Sequence, residues 1–268
     1  MSATSESGRP PGPPADRQIV NALVRGLALL ACFRVERPLL TNADLSRLAE
    51  MPRSSVSRLT HTLVKEGYLE YDSRHRAYRL AVKVLSLGRA MLGGMLLRNI
   101  AMPAMQELAN DSDSQVAIVT CEDTSMLIIE VATSAAMQAY PMEVGARMAV
   151  DMTAMGRVYL ASCSSSERAR IVGHLLDDGR RDARQLQAIV DASIAEFHQQ
   201  GFCTSIHSWR SGVNGVAVPL YVKDLGRRLI LTCGGDATQL TEKLIYSTVA
   251  PRLKTMAQDI ESVSERLS

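Results

Sequence analysis

The chain has 268 residues, 46% hydrophobic and 22% charged, enough apolar material for two compact units with cores of their own. No apolar run reaches the roughly 20 residues needed to cross a bilayer, and the opening MSATSESGRPPGPPADR has no hydrophobic stretch of the kind a secretory signal requires. The net charge of +2 hides an asymmetry, with 14 Lys and Arg against 8 Asp and Glu in residues 1–90 and 16 against 20 in the remainder. A basic part joined to an acidic one fits a nucleic-acid contact surface, although a difference this small also arises by chance. Five scattered cysteines without CxxC spacing point to reduced thiols and a cytoplasmic protein.

Residues 1–18, rich in Pro, Gly and Ser, read as a disordered tail. Ile19–Phe33 follows as an amphipathic helix with Leu23, Leu27 and Leu30 as its apolar stripe. Thr41 is a good N-cap for a short helix over Ala43, Leu45, Leu48 and Ala49. Met51-Pro52 interrupts it, and Pro52 suits the first turn of a third helix over Val56, Leu59, Leu63 and Val64, closed by Gly67. Tyr68–Tyr71 and Ala77–Leu80 flank the polar Asp72–Arg76 turn as a hairpin. Three helices and a hairpin over residues 19–81 describe a winged helix-turn-helix. Lys83–Met95 continues as a helix, so 82–100 reads as a linker.

From residue 101 to 268 the pattern becomes mixed α and β. Met105–Asn110, Ala154–Ala161, Ser166–Leu176 and Arg184–Gln200 read as helices, the last stopped by Gly201. Val116–Cys121, Met126–Ala132, Val213–Val222 and Arg228–Cys233 read as strands of an antiparallel or mixed sheet, with Gly234-Gly235-Asp236 as a turn. Thr241–Leu267 closes the chain as a helix that Pro251 kinks or splits. The fold class is α+β: a winged helix-turn-helix joined by a linker helix to an α/β domain.

The second helix of a helix-turn-helix lies in the major groove with its early residues at base edges. Here those residues are Arg53, Ser54, Ser55, Ser57 and Arg58, followed by His61. Arginine reads guanine bidentately and serine can donate or accept at several edges. Arg74, His75 and Arg76 at the wing tip are placed for sugar-phosphate or minor-groove contact. The bland alternative is a solvated basic face, but helix spacing, small polar residues and basic hairpin together favour double-stranded DNA as partner.

The run VNALVRGLALLACF…LTNADLSRLAEMPRSSVSRLTHTLVKEGYLEYDSRHRAYRL resembles the DNA-binding domain of the IclR family of bacterial regulators. VGARMAVDMTAMGRVYLAS and GVNGVAVPL…LGRRLILTCGGD resemble that family's effector domain. The resemblance implies a GAF-like effector domain, dimers through the winged-helix domains and often tetramers through the C-terminal ones. Glu50 stands at the usual turn glycine, so a reshaped turn is expected. Arg157 replaces a lysine, and Ser205–Ser208 with Trp209-Arg210 replaces an acidic pair.

Carried over by position, the resemblance implies an effector pocket of Met137, Tyr140, Ala154, Met155, Ser205, Gly215, Leu231 and Cys233, with Trp209 and Arg210 nearby. The helix start at Ala154-Met155 suits a carboxylate, Arg210 can pair with one, and the apolar bulk fits a small organic acid, aromatic ones included. A core role for any one of these residues is as good a reading. No catalytic motif, P-loop or GxGxxG is present, and His198, Cys203 and His207 match no zinc pattern. The expectation is therefore a regulator with no cofactor or metal, partnered by operator DNA, a small-molecule effector and itself. The alternative is a DNA-binding protein whose second domain only oligomerises.

Overall fold

The structure, a computed structural model, describes residues 18–137, 142–177, 179, 181–222 and 227–267. Almost all of the expected N-terminal tail, and Tyr140 of the expected pocket, lie outside these residues. The chain divides into two compact units, the first ending at Ala90 and the second running from Met91.

The first unit holds α1 (Asn21–Leu30), α2 (Asn42–Leu48), α3 (Arg53–Lys65) and the hairpin β1 (Leu69–Asp72) and β2 (Ala77–Leu80); α4 (Lys83–Gly93) follows and runs across the boundary. Thr41 caps α2 in a reciprocal capping box with Asp44, the arrangement that satisfies two orphan donors at once. Those hydrogen bonds from Thr41 hold the Asp44 carboxyl below the usual carboxylate range. Leu29, Phe33, Leu40, Leu45, Val56 and Leu69 form the core, with Leu59, Leu63 and Val64 against it.

Two sequence expectations change here. Of the expected apolar stripe of α1 only Leu30 packs against the core: Gly26 and Leu29 face in, while Leu23 and Leu27 are 60% and 56% exposed. The segment NALVRGLALL is apolar on more than one side, and so small a core uses only one of them. Glu50 keeps the left-handed turn conformation, at φ 51°, instead of reshaping it. Holding it there costs on the order of 1 kcal/mol.

The second unit begins with α5 (Leu96–Asp111), longer than expected because Pro103 is accommodated inside it. A six-stranded antiparallel sheet follows, in the order β5 (Arg147–Ala149), β4 (Ser125–Thr133), β3 (Gln115–Glu122), β8 (Arg227–Asp236), β7 (Val213–Val222), β6 (Cys203–Ile206). On one face lie α5 and α10 (Ala250–Leu267), and on the other α6 (Ala154–Ser162), α7 (Ser165–Asp177) and α8 (Ala183–Gln200). Covering both faces explains the nearly unbroken apolar run of β3: Val116 and Ile118 enter one core, Ala117 and Val119 the other. Gly201 ends α8 at φ 76°. The closing helix runs from α9 (Glu242–Leu244) through a π-turn over Ile245–Val249 into α10, so the irregularity lies just before Pro251. The glycine pair expected to be a turn continues β8 to Asp236.

Helix α6 lies unusually close to the turn that follows β5. A Cβ at Gly156 would sit 1.9 Å from the carbonyl oxygen of Val150. Gly156→Ala is therefore expected to cost about 3 kcal/mol, the upper range for overpacking, and to bring forward the thermal unfolding of the second unit. Gly173 on α7, with nothing within 4 Å of its would-be Cβ, is the control: Gly173→Ala should leave the transition unmoved or slightly raised. Equal melting of the two variants would contradict the close approach.

Candidate DNA interface and effector pocket

In α3, Arg53, Ser54, Ser57, Arg58 and His61 are exposed along one helical face, while Val56 and Thr60 are buried and Ser55 is half-buried. Thr60 spends its hydroxyl on the carbonyls of Val56 and Ser57, at 2.9 and 3.2 Å, so it anchors the inner side. Asn42 on α2 donates to Ser57 Oγ at 2.8 Å, which fixes α2 against α3 and engages one of the candidate reading groups. Pro52 caps α3 without a side-chain acceptor, so its first N–H groups stay available to a phosphate oxygen.

At the wing tip, Asp72 accepts from the N–H of Arg74 at 2.9 Å and of His75 at 3.1 Å, and its other oxygen lies 2.9 Å from His75 Nδ1. These contacts, that of the His75 side chain foremost, hold the Asp72 carboxyl below its usual range. They shape the turn so that Arg74 and Arg76 stand exposed, Arg76 at φ 51°. The polar face of α3 and a basic wing are thus both built within the first unit.

In the second unit a cavity lies between the start of α6 and the ends of β7 and β8. Of the expected pocket residues it gathers Met137, Ala154, Met155, Ser205, Trp209, Gly215 and Cys233. It adds Gln115, Met142, Met148, Thr153, Asn214, Thr232 and Asp236. The space open to the centre of a water-sized sphere is about 50 Å³, room for a few waters, so a ring enters only as the methionine side chains shift. Their flexible chains suit that.

Leu231 does not belong to this wall. It is fully buried in the core on the α5/α10 face. Cys233 shares that face, its thiol 3.0 Å from Ser114 Oγ and pushed up to about 11 by burial. Side chains alternate along a strand, so an offset of one residue moves every one to the other face. Here Thr232, Gly234 and Asp236 share the cavity side. Arg210 is not among the lining residues; its guanidinium stacks on Trp209, 4.6 Å from the ring centre.

Several contacts pin the cavity in place. Thr153 caps α6, accepting from Gly156 N at 3.3 Å and donating to Ala149 O at 2.7 Å. The buried Asp151 is held by Arg181, with Nε 2.6 Å from its carboxylate. Ser205 donates to Met152 O at 3.1 Å. Gln115 accepts from Met142 N at 2.9 Å and donates to Thr133 Oγ1 at 3.0 Å. Capping leaves the N–H groups of Ala154 and Met155 without an intrahelical acceptor.

Elsewhere, burial pushes the Cys121 thiol up to about 12 and raises that of Cys203 further, which disfavours the thiolate a nucleophile needs. Among the described residues no group of three or more His, Cys, Asp or Glu is arranged to hold a metal. No helix among them is long and apolar enough to cross a membrane.

Residues 22–73 match the model of the IclR helix-turn-helix domain, and residues 89–262 that of the bacterial transcriptional regulator IclR C-terminal domain. The chain belongs to the IclR family. The HTH-type transcriptional regulator TsaQ1/TsaQ2 of Comamonas testosteroni is 31% identical over 249 residues, 91% of this chain and 88% of that one. An IclR-family regulator from Brucella abortus has the same fold, with a TM-score of 0.86 at 34% identity over 92% of this chain and 94% of its own. An IclR homologue from Microbacterium hydrocarbonoxydans, complexed with 4-hydroxybenzoate, has a TM-score of 0.69 at 20% identity over 92% and 100%; at that identity the likeness concerns the fold. The chain is a DNA-binding transcriptional regulator and not an enzyme.

One buried ion pair joins the sheet to the chain entering this unit. Glu130 on β4, 5% exposed, pairs with Arg98 on α5, which also donates to the carbonyl of Leu92 at 3.2 Å. Glu130→Ala should destabilise the second unit by about 3 kcal/mol, the low end for orphaning a buried charge because Arg98 keeps some contact with water. Chemical denaturation measures it, and a loss under 1 kcal/mol would deny the pair its structural role.

Proposed function

We propose that operator binding by this IclR-family regulator is modulated by a small organic acid, aromatic in its main body, seated in the cavity at the start of α6. The observation that carries the reading is the cavity's composition. Met137, Met142, Met148, Met155 and Trp209 supply an apolar, deformable wall, and Ala154 and Met155, the first two residues of a helix, line it as well. A ring suits the wall, and a carboxylate suits the helix start, where partial positive charge and free donors coincide. The 4-hydroxybenzoate complex of the Microbacterium hydrocarbonoxydans homologue supports an aromatic acid as a ligand class that this fold can hold.

In this reading Arg53, Ser54, Ser55, Ser57, Arg58 and His61 face the major groove, and Arg74 and Arg76 reach the backbone or minor groove. The protein acts in the cytoplasm as a homodimer or a dimer of dimers. The exposed Leu23, Val24 and Leu27 on α1, with Leu85 and Leu87 on α4, offer an apolar surface for pairing of winged-helix units. The small free volume of the cavity favours a second reading, in which the second unit only oligomerises. Titration of Trp209, the single tryptophan, with benzoates decides between them, since a ligand bound to the native state must also raise its melting temperature.

The reading residues are tested by Arg58→Ala. It should weaken binding to a selected duplex by about 1–3 kcal/mol and relax sequence preference at one position. Arg74→Ala should weaken all duplexes alike and lower the salt dependence by about one phosphate contact. Unchanged affinity and preference in Arg58→Ala would remove that residue from base reading.

A further inference from the structure

The cavity contains one charged lining residue among those described, and it is acidic: Asp236, at the end of β8. Among the described residues neither arginine, lysine nor histidine lines the wall. Asp236 Oδ1 accepts from the N–H and the hydroxyl of Thr238, at 2.8 and 2.6 Å. Among the described residues, Oδ2 has neither a hydrogen-bond nor an ion-pair partner. The Thr238 bonds, the hydroxyl's first, hold the carboxyl below its usual range, so it is ionised at neutral pH and acts only as an acceptor.

The register of the sheet sets how far this acceptor lies from the anion-favouring end. Gly215 pairs with Gly234, and a Cβ at Gly215 would lie 3.7 Å from Ala154 Cβ, so this pair is level with the start of α6. Asp236 pairs with Val213, two residues further on. At the rise of an antiparallel strand that is about 7 Å, the length of a benzoate from its carboxylate to a para substituent. The cavity therefore favours a negative group at one end and rejects one at the other.

We infer that Asp236 selects effectors carrying a hydrogen-bond donor, such as a phenolic hydroxyl or an aromatic amine, opposite their carboxylate. This rests on the aromatic-acid reading above and adds the polarity of the ligand's far end. Asp236 is half-exposed at the edge of the cavity, so an uncharged ring end leaves its carboxylate to water, a donor gains a charge-assisted hydrogen bond, and a second anion meets like charge.

The test is calorimetric titration of the full chain with benzoate, 4-methoxybenzoate, 4-hydroxybenzoate, 4-aminobenzoate and terephthalate. The hydroxy and amino acids should bind roughly threefold to tenfold more tightly than benzoate and the methoxy acid, as the net gain of a hydrogen bond to a carboxylate in contact with water implies. Terephthalate should bind weakest. Asp236→Ala should abolish the preference for the donors, and Asp236→Asn should improve terephthalate relative to benzoate. Thr238→Ala, which removes the hydroxyl's bond but keeps the carboxylate in the cavity, should retain the donor preference. The wild-type series decides the matter even if a variant fails to fold. Binding of the five acids without para preference would overturn the role of Asp236 and leave the aromatic-acid reading standing; binding of none would overturn both.

Discussion

Helix α6 can lie against Val150 only because residue 156 has no side chain, and the organisation of the second unit follows from that contact. The chain leaves β5, turns through Asp151 and Thr153, and starts a helix against its own preceding backbone. Three side chains fix the turn from different directions: Arg181 on Asp151, Thr153 on its own helix, and Ser205 on Met152. The result is a helix N-terminus held beside the cavity that the neighbouring ends of β7 and β8 also line. Any residue larger than glycine at 156 would push this helix off the sheet.

The same sheet separates two environments one atom layer apart. On β8, Leu229, Leu231 and Cys233 fill the core beneath α10, while Ile230 belongs to the core beneath α6 and Thr232 and Asp236 line the cavity. Arg98, pairing with Glu130 from α5, ties the sheet to the start of the second unit at Leu92. The sheet is covered on both faces, and packed elements of this kind transmit displacement because they do not deform continuously.

Much of the first unit was legible in the sequence because its signals are local. Thr41 with Asp44, the Pro52 break, the stripe from Val56 to Val64 and the hairpin around Asp72–Arg76 each specify a short element without help from distant residues. What the sequence concealed is tertiary. Leu23 and Leu27 look like a core stripe, yet the core is supplied by Leu29 and Phe33, and only the folded unit decides which apolar face is used. The short strands β5 and β6 carry no apolar alternation strong enough to announce them. Leu231 was placed in the pocket by position, but strand parity puts Thr232 there instead, and the extension of β8 to Asp236 brings in a carboxylate that a turn would have left outside.

The central claim is that occupancy of the cavity changes operator affinity. Gly215 permits a direct test, because a Cβ there meets only ordinary contacts, 3.5 Å to Cys233 O and 3.7 Å to Ala154 Cβ, so Gly215→Val fills the cavity at little cost to the backbone. Fluorescence anisotropy would follow binding of a duplex selected from a random pool, with and without a saturating concentration of the tightest-binding benzoate. The account predicts an affinity change of roughly fivefold or more in the natural protein, and in Gly215→Val the same ligand-free affinity with no response. An equal response in both proteins, or none in either, would contradict it.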